Sequence, residues 1–294
     1  MLNKRIIFVF ILNLITIFSQ NDNYLKQVNQ MMGHKKVIWQ PEGSFTGEGE
    51  NAILVFHGLG DRGHDGYSLI FPNIKNCVIY TPEMPYSAKF LADKTGIISM
   101  GGKADLIAAI ISLNKLKLAG YKNVCLYGLS CGGGVATNLI YALQNPTEYK
   151  EIFKKLNIKP NELREIVKIC ILDRPFSDFY YAARSKIGGL AWLVDKTISA
   201  RKAINIVFNS SYEGNVISLD GISPIKAAEK INNIPLLIHA AKKDDLVGYD
   251  GSVELYNITK KNNKSQLVES DIYHNDPINQ NLQNKFEKFI TKYF

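Results

Sequence analysis

The 294-residue chain lacks several features that would assign it to a class of protein at once. It has no repeat of fixed period and no low-complexity segment, which excludes solenoids, propellers and long disordered tracts. Its four cysteines match no zinc-binding spacing, so we expect no metal site and interpret them as buried free thiols. The net charge of +8 is not gathered into a basic cluster or a nucleic-acid-binding motif. We therefore expect a lysine-rich solvated surface and no nucleic-acid partner.

Apolar residues, in contrast, are plentiful. Hydrophobic residues make up 46% of the chain and charged residues 21%, which is typical of a folded globular protein. A chain of this length buries a sizeable core. It is long enough for one large α/β domain, or for one such domain that carries an insertion.

The first twenty residues differ from the rest. Lys4 and Arg5 precede an apolar run over 6–18. A basic start followed by about 7–15 apolar residues is typical of a secretory signal peptide, whereas a membrane span needs about 20. The cleavage-site pattern is poor. We expect an exported protein, periplasmic or secreted, in which 1–20 is a signal peptide or an N-terminal membrane anchor and 21–294 is one domain.

The remaining pattern alternates between short apolar runs and amphipathic stretches, after a glycine-containing turn predicted over 43–50. Strands are predicted over 52–56, 77–80, 124–127, 166–172, 235–238 and 265–269. Helices are predicted over 102–118, 135–143, 148–156 and 277–293. Alternating strands and helices favour the α/β class, with a mostly parallel central sheet and helices on both faces.

One segment, 173–224, interrupts this alternation. It is rich in aromatic residues and lies between two predicted strand ends. Ligands of open α/β folds bind at the carboxyl edge of the sheet. We therefore expect 173–224 to form a helical lid insertion over that edge.

The strongest local signal is Gly128-Leu129-Ser130-Cys131-Gly132, which matches G-x-S-x-G. Four apolar residues precede it, and two further glycines and a helical pattern follow it. A serine held on a sharp strand-to-helix turn projects its hydroxyl above the sheet, and the crowded backbone around it requires glycine. The pattern therefore predicts a nucleophile elbow at Ser130.

Three more motifs follow the same order along the chain as in one known family. An apolar strand ends in His57-Gly58, Asp244-Asp245-Leu246-Val247 follows a late strand, and His274 precedes the final helix. With the elbow at Ser130, the chain resembles the α/β-hydrolase superfamily, especially its esterase and serine-aminopeptidase-like members. The likeness covers nearly all of the chain after residue 50, and the order Ser, Asp, His is the one that this fold uses.

The resemblance implies a catalytic triad. Ser130 is the expected nucleophile, and His274 is the expected general base that takes the hydroxyl proton. Asp244 is the expected acid that orients the imidazole. The loop before Asp244 is one residue longer than in relatives, and Ala240 replaces a common glycine. Asp245 therefore stays an alternative.

Other candidate residues receive lesser roles. The resemblance implies that the backbone amides of Leu59 and Cys131 form the oxyanion hole. A Cys131 thiol nucleophile is the alternative that we disfavour, because the elbow turns residue 131 into the helix. We expect His57 to brace its loop and His239 to be a buried structural residue.

The predicted reaction is hydrolysis of a small-molecule carboxylic ester or related acyl compound through an acyl-enzyme, with no cofactor. The resemblance also leaves open a serine aminopeptidase acting on small peptides. A catalytically silent hydrolase fold that binds a ligand is a third alternative. The loop 81–87 replaces a glycine-rich arginine loop of many relatives, so substrate class does not follow from the resemblance.

Overall fold

The structure, a computed structural model, describes residues 43–62, 65–92, 96–187, 216–217, 221–262 and 264–294. All of these belong to one compact unit, Pro41–Phe294. The predicted leader over 1–20 and most of the predicted lid lie outside the described residues, so both stay predictions.

Seven strands form the main sheet, and a further pair is separate. The strands are β1 (Gly43–Thr46), β2 (Asn51–Phe56), β3 (Cys77–Pro82), β4 (Ile97–Ile98), β5 (Asn123–Leu129), β6 (Val167–Asp173), β7 (Val216–Ile217), β8 (Leu236–Lys243) and β9 (Ser265–Tyr273). The main sheet has the order β1-β3-β2-β5-β6-β8-β9, and every pair in it is parallel except β1 with β3. The predicted parallel sheet is therefore confirmed.

Helices cover both faces of this sheet in the part of the chain that is described. They are α1 (Ala88–Ala92), α2 (Lys103–Leu118), α3 (Cys131–Gln144), α4 (Lys150–Leu156), α5 (Pro160–Ile166), α6 (Phe179–Ile187), α7 (Pro224–Ala228), α8 (Tyr249–Thr259) and α9 (Gln280–Tyr293). Helix α9 packs on one face together with the 3-10 helix Asp65–Ile70, and α3 packs against β5. Strand β5 has five consecutive buried residues because it lies at the centre of the sheet.

The predicted turn over 43–50 is wrong for its first four residues, which form β1. Ser44 pairs with Thr81 in an antiparallel register, so β1 covers the outer edge of β3. A Cβ atom at Gly43 would lie 2.4 Å from the Thr81 carbonyl oxygen. The glycine that suggested a turn instead lets two strands approach closely.

The last helix begins three residues later than the sequence pattern predicts. Asn279 is its N-cap, and the side-chain oxygen of Asn279 accepts a hydrogen bond of 3.0 Å from the backbone amide of Leu282. A side-chain acceptor at this position satisfies one of the free amides of the first turn. Helix α9 therefore begins at Gln280 rather than at Pro277.

All four cysteines are buried and free, as the sequence predicts. Among the helices formed by the described residues, none has both the length and the apolar character needed to cross a bilayer.

Candidate active site

Ser130 occupies the junction between β5 and α3. Its φ and ψ angles are 54° and −119°, a left-handed conformation that is costly for a residue with a side chain. Neighbouring backbone holds this conformation. The Ser130 amide donates to the Asp173 carbonyl at 3.0 Å, and the Ser130 carbonyl accepts from the amides of Phe176 and Gly133 at 2.8 and 2.9 Å.

The glycines of the motif are required by contacts with other backbone. A Cβ atom at Gly132 would lie 2.0 Å from the Phe56 carbonyl oxygen and 2.7 Å from that of His57. A Cβ atom at Gly128 would lie 2.4 Å from the Gly132 carbonyl oxygen. The end of β2 therefore runs directly against the start of α3, and only glycine fits between them.

His274 lies in the loop between β9 and α9 and is 5% exposed. Its Nδ1 atom is 2.8 Å from Oδ2 of Asp244, in the loop that follows β8. Oδ1 of Asp244 accepts hydrogen bonds from the amides of Leu246, Val247 and Gly248 at 3.0, 2.9 and 3.2 Å. The carboxylate that contacts the imidazole is thus that of Asp244, whereas Asp245 is exposed.

The surroundings of Asp244 keep it ionised. Burial by itself raises the pKa of this carboxyl, but the hydrogen bond and charge of His274, with the Leu246 and Val247 amides, lower the pKa below its usual value. A carboxylate can only accept hydrogen bonds. The imidazole must therefore place a proton on Nδ1, which leaves Nε2 free to accept one.

The loop after β2 lies beside the elbow. A Cβ atom at Gly58 would lie 3.8 Å from the Cβ atom of Ser130. Nδ1 of His57 is 2.8 Å from the Gly58 carbonyl oxygen, and the Tyr86 hydroxyl donates to the His57 carbonyl at 3.0 Å. The Met84 amide donates to Nε2 of His57 at 3.4 Å. His57 is therefore a fully buried brace of this loop, held by the segment 81–87.

The two predicted oxyanion donors belong to this loop and to the first residue of α3. Among the described residues, no acceptor takes up the amide hydrogen of Leu59 or of Cys131. The Cys131 side chain is fully buried, and burial raises the pKa of its thiol well above the usual value. A thiolate is the reactive form of cysteine, so this environment disfavours Cys131 as a nucleophile.

Ser130 and His274 are brought to the same edge of the sheet. Each follows the carboxyl end of a strand in the parallel part of the sheet. Within the described chain, no hydrogen bond joins the Ser130 hydroxyl to the imidazole. In structures without substrate, catalytic hydrogen bonds are commonly long and shorten when substrate binds.

Sequence reasoning missed a second buried polar cluster that starts from Asp173, the last residue of β6. The Asp173 carboxylate contacts Nδ1 of His239 at 2.6 Å, and it accepts from the Tyr127 hydroxyl at 2.6 Å. Nε2 of His239 is 2.7 Å from the hydroxyl of Ser270. Arg174 completes the cluster by donating to both oxygens of Asp173 at 2.8 and 3.1 Å. One available signal was that Asp173 and His239 each directly follow a predicted apolar strand, 166–172 and 235–238.

This cluster contains the residue types of a catalytic triad, but its serine is not on a strand-to-helix turn. Ser270 lies within the edge strand β9, not on a strand-to-helix turn. His239 is fully buried, and its carboxylate partner also binds an arginine. A nucleophile needs access to substrate and nearby oxyanion donors, and β9 offers no turn that supplies them. His239 is therefore a buried structural histidine, as the sequence predicts.

Comparison with family models and with curated proteins gives no match to this sequence. Solved structures do match. An esterase of Pyrococcus furiosus superimposes with a TM-score of 0.56 over 90% of this chain and 92% of its own, at 11% identity. An acylaminoacyl peptidase of Pyrococcus horikoshii gives a TM-score of 0.55 over 85% of this chain but 38% of its own, at 17% identity.

A monoacylglycerol lipase of Paleococcus ferrophilus matches 85% of this chain and 98% of its own with a TM-score of 0.50, at 14% identity. At these identities the likeness concerns the fold. The sheet order, the turn at Ser130 with its flanking glycines and these three matches all indicate the same fold. The chain has the α/β-hydrolase fold.

Proposed function

We propose that the protein is a serine hydrolase that cleaves carboxylic esters through an acyl-enzyme on Ser130. The observation that carries this proposal is the hydrogen bond between Asp244 and His274, at the same sheet edge as a serine held on a strained turn. A buried carboxylate that fixes the tautomer of a histidine, at the same end of the sheet as a serine on a strand-to-helix turn, is an arrangement suited to nucleophilic catalysis.

The proposed reaction begins when His274 Nε2 takes the proton of the Ser130 hydroxyl as the oxygen attacks the ester carbonyl. The tetrahedral oxyanion accepts hydrogen bonds from the Leu59 and Cys131 amides. The imidazolium then returns its proton to the leaving alcohol, and the acyl-enzyme remains. A water molecule repeats the sequence with the same base, releasing the carboxylic acid and restoring the serine.

A fluorophosphonate probe tests the nucleophile, because it reacts only with an activated serine. We expect the folded wild-type protein to be labelled at Ser130 and Ser130→Ala to be unlabelled. The matched control is Ser270→Ala, which removes the other serine hydroxyl that contacts a buried histidine. We expect this control to label as the wild type does. An unlabelled folded wild type, or a labelled Ser130→Ala, would contradict the proposal and favour a binding role for the fold.

A second experiment tests the substrate class. The esterase and lipase among the matched structures, and the aromatic residues at the start of the predicted lid, favour ester substrates with an apolar acyl part. Phe176 and Phe179 contact each other there with ring centroids 4.8 Å apart. We expect p-nitrophenyl esters of graded chain length to be turned over faster than aminoacyl p-nitroanilides. The reverse ranking would favour a peptidase of small substrates.

A further inference from the structure

The residue immediately after β6 is a buried arginine. Arg174 is 4% exposed and has a φ angle of 45°, so the backbone takes a left-handed conformation there without a glycine. A buried guanidinium carries five N–H donors, and each requires an acceptor. The identity of those acceptors shows what the side chain is holding.

One set of acceptors lies in the loop that carries His274. Nη1 of Arg174 donates to the carbonyl oxygen of His274 at 2.5 Å and to that of Asp276 at 2.7 Å. A longer hydrogen bond of 3.4 Å reaches the Tyr273 carbonyl. Apart from the hydrogen bond of His274 to Asp244, the other hydrogen bonds of this loop within the described residues are local: from the Tyr273 amide to the Asp276 carboxylate at 2.8 Å and between their backbones at 3.3 Å. Arg174 therefore joins this loop to the rest of the sheet edge.

The other edge of the guanidinium is bound by Asp173. Nε and Nη2 donate to its two carboxylate oxygens at 2.8 and 3.1 Å, which fixes the plane of the group. The Asp173 carboxylate is itself held by His239 and Tyr127 at 2.6 Å each. The carboxylate that fixes the guanidinium thus comes from β6, and residues of the neighbouring strands β5 and β8 contact it.

The backbone of the same segment is bonded to the elbow. The Asp173 carbonyl accepts from the Ser130 amide at 3.0 Å, and the Phe176 amide donates to the Ser130 carbonyl at 2.8 Å. Residues 173–176 therefore contact the turn that bears the serine through their backbone. Through the Arg174 side chain they contact the loop that bears the histidine.

We propose that Arg174 is a positioning residue that fixes the backbone of the His274 loop relative to the elbow at Ser130. The inference rests on the proposed serine-hydrolase function. It follows from the geometry because three carbonyls of the loop accept hydrogen bonds from one guanidinium, and Asp173 fixes that guanidinium at the end of β6. Arg174 touches no reacting atom and acts only through the backbone of the base.

The test compares Arg174→Lys with Tyr127→Phe. Lysine keeps the positive charge beside Asp173, but a single ammonium cannot serve that carboxylate and the loop carbonyls in the same planar geometry. Tyr127→Phe removes a different hydrogen bond to Asp173 and leaves every Arg174 contact in place. Both variants disturb the buried cluster, and only the first disturbs the loop.

We expect Arg174→Lys to lower kcat about 10²-fold, as small displacements of a catalytic group do, with KM changed less than about twofold. Its fluorophosphonate labelling rate at Ser130 should fall in parallel. Tyr127→Phe should lower the melting temperature while leaving kcat and the labelling rate within about twofold of wild type. Arg174→Gln, which retains a neutral donor, should behave like Arg174→Lys or worse.

Three results would overturn the proposal. The first is a folded Arg174→Lys or Arg174→Gln with wild-type kcat. The second is an equal loss of kcat in Tyr127→Phe. The third is failure of both arginine variants to fold while Tyr127→Phe folds, because Arg174 would then serve the whole fold and not the loop. Labelling of wild-type Ser130 in the same series keeps the proposed function standing in each of these cases, whereas an unlabelled wild type removes both proposals together.

Discussion

Replacing Asp244 by asparagine separates the orienting role of this residue from its structural role. Oδ1 of Asp244 accepts three backbone amides, and Oδ2 faces Nδ1 of His274 at 2.8 Å. An asparagine side chain keeps one carbonyl oxygen, which will stay with the three amides. Its NH₂ group then faces the imidazole. The fold of the loop should therefore survive while the partner of His274 changes from an acceptor to a donor.

The size of the effect follows from the tautomer. A donor opposite Nδ1 forces the imidazole to accept there and to carry its proton on Nε2, where it cannot take the proton of Ser130. A change of this kind in a serine-histidine-aspartate system costs about 10⁴-fold in kcat, or about 5 kcal/mol of transition-state stabilisation. The free energy of unfolding should fall by only about 1–3 kcal/mol, because a hydrogen bond to a charged carboxylate is replaced by a neutral one.

The assay is hydrolysis of a p-nitrophenyl ester, with kcat and KM measured separately and folding checked by urea denaturation. Asp245→Asn is the matched control, because Asp245 is the exposed neighbour in the same loop. We expect its kcat within about twofold of wild type, since a surface change of this kind touches no part of the site. A loss of less than tenfold in Asp244→Asn, or an equal loss in Asp245→Asn, would refute the reasoning.

Two further predictions concern stability. Gly132→Ala would place a Cβ atom 2.0 Å from the Phe56 carbonyl oxygen, and we expect it to lower the free energy of unfolding by about 3 kcal/mol in urea denaturation. Gly58→Ala has 3.8 Å to its nearest neighbour, so a similar loss there would contradict this account. Burial alone raises the pKa of Asp173, but the charge of Arg174 and the hydrogen bonds of Arg174 and His239 hold that pKa far below its usual range. The pKa of an aspartate in the unfolded chain is about 3.9. The stability that the Asp173 carboxylate contributes is therefore complete above that pH and is lost as the pH falls below it. The urea midpoints of wild type and Asp173→Asn should differ most above about pH 5, and the gap should narrow progressively as the pH falls below about 4; a gap that widens in acid would show that the sign is wrong.

Local patterns predicted much of the architecture. Apolar runs located five of the six parallel strands of the main sheet, because a strand buried on both faces must be apolar along its length. The sixth, the edge strand β9, was also predicted, although none of its residues is fully buried. Ends of elements were less predictable. Strand β8 continues through Lys243, since its exposed end needs no apolar residue, and α9 starts where Asn279 caps it. Strand β1 was missed, because its glycine has the same local signature in a turn and at a close strand contact.

The site divides in a similar way. The turn at Ser130 was predictable because its glycines are adjacent in sequence and answer one local steric demand. The contacts of Asp173 and Arg174 were not, because they join residues up to 102 positions apart. No periodicity marks such a pair, and only the order of strands in the sheet brings their ends together. The sequence favoured Asp244 but left Asp245 as an alternative, since a shift of one residue in a loop leaves no trace in composition.

The backbone conformation of Ser130 suits its proposed function but costs stability. A side chain at a φ angle of 54° costs of order 1–3 kcal/mol, and a glycine at the same place would not bear that cost. The rigid surroundings of the turn hold the residue in place against its own preference. The proposed nucleophile therefore lowers the stability of the protein, and this cost arises at the residue that the proposed chemistry needs most.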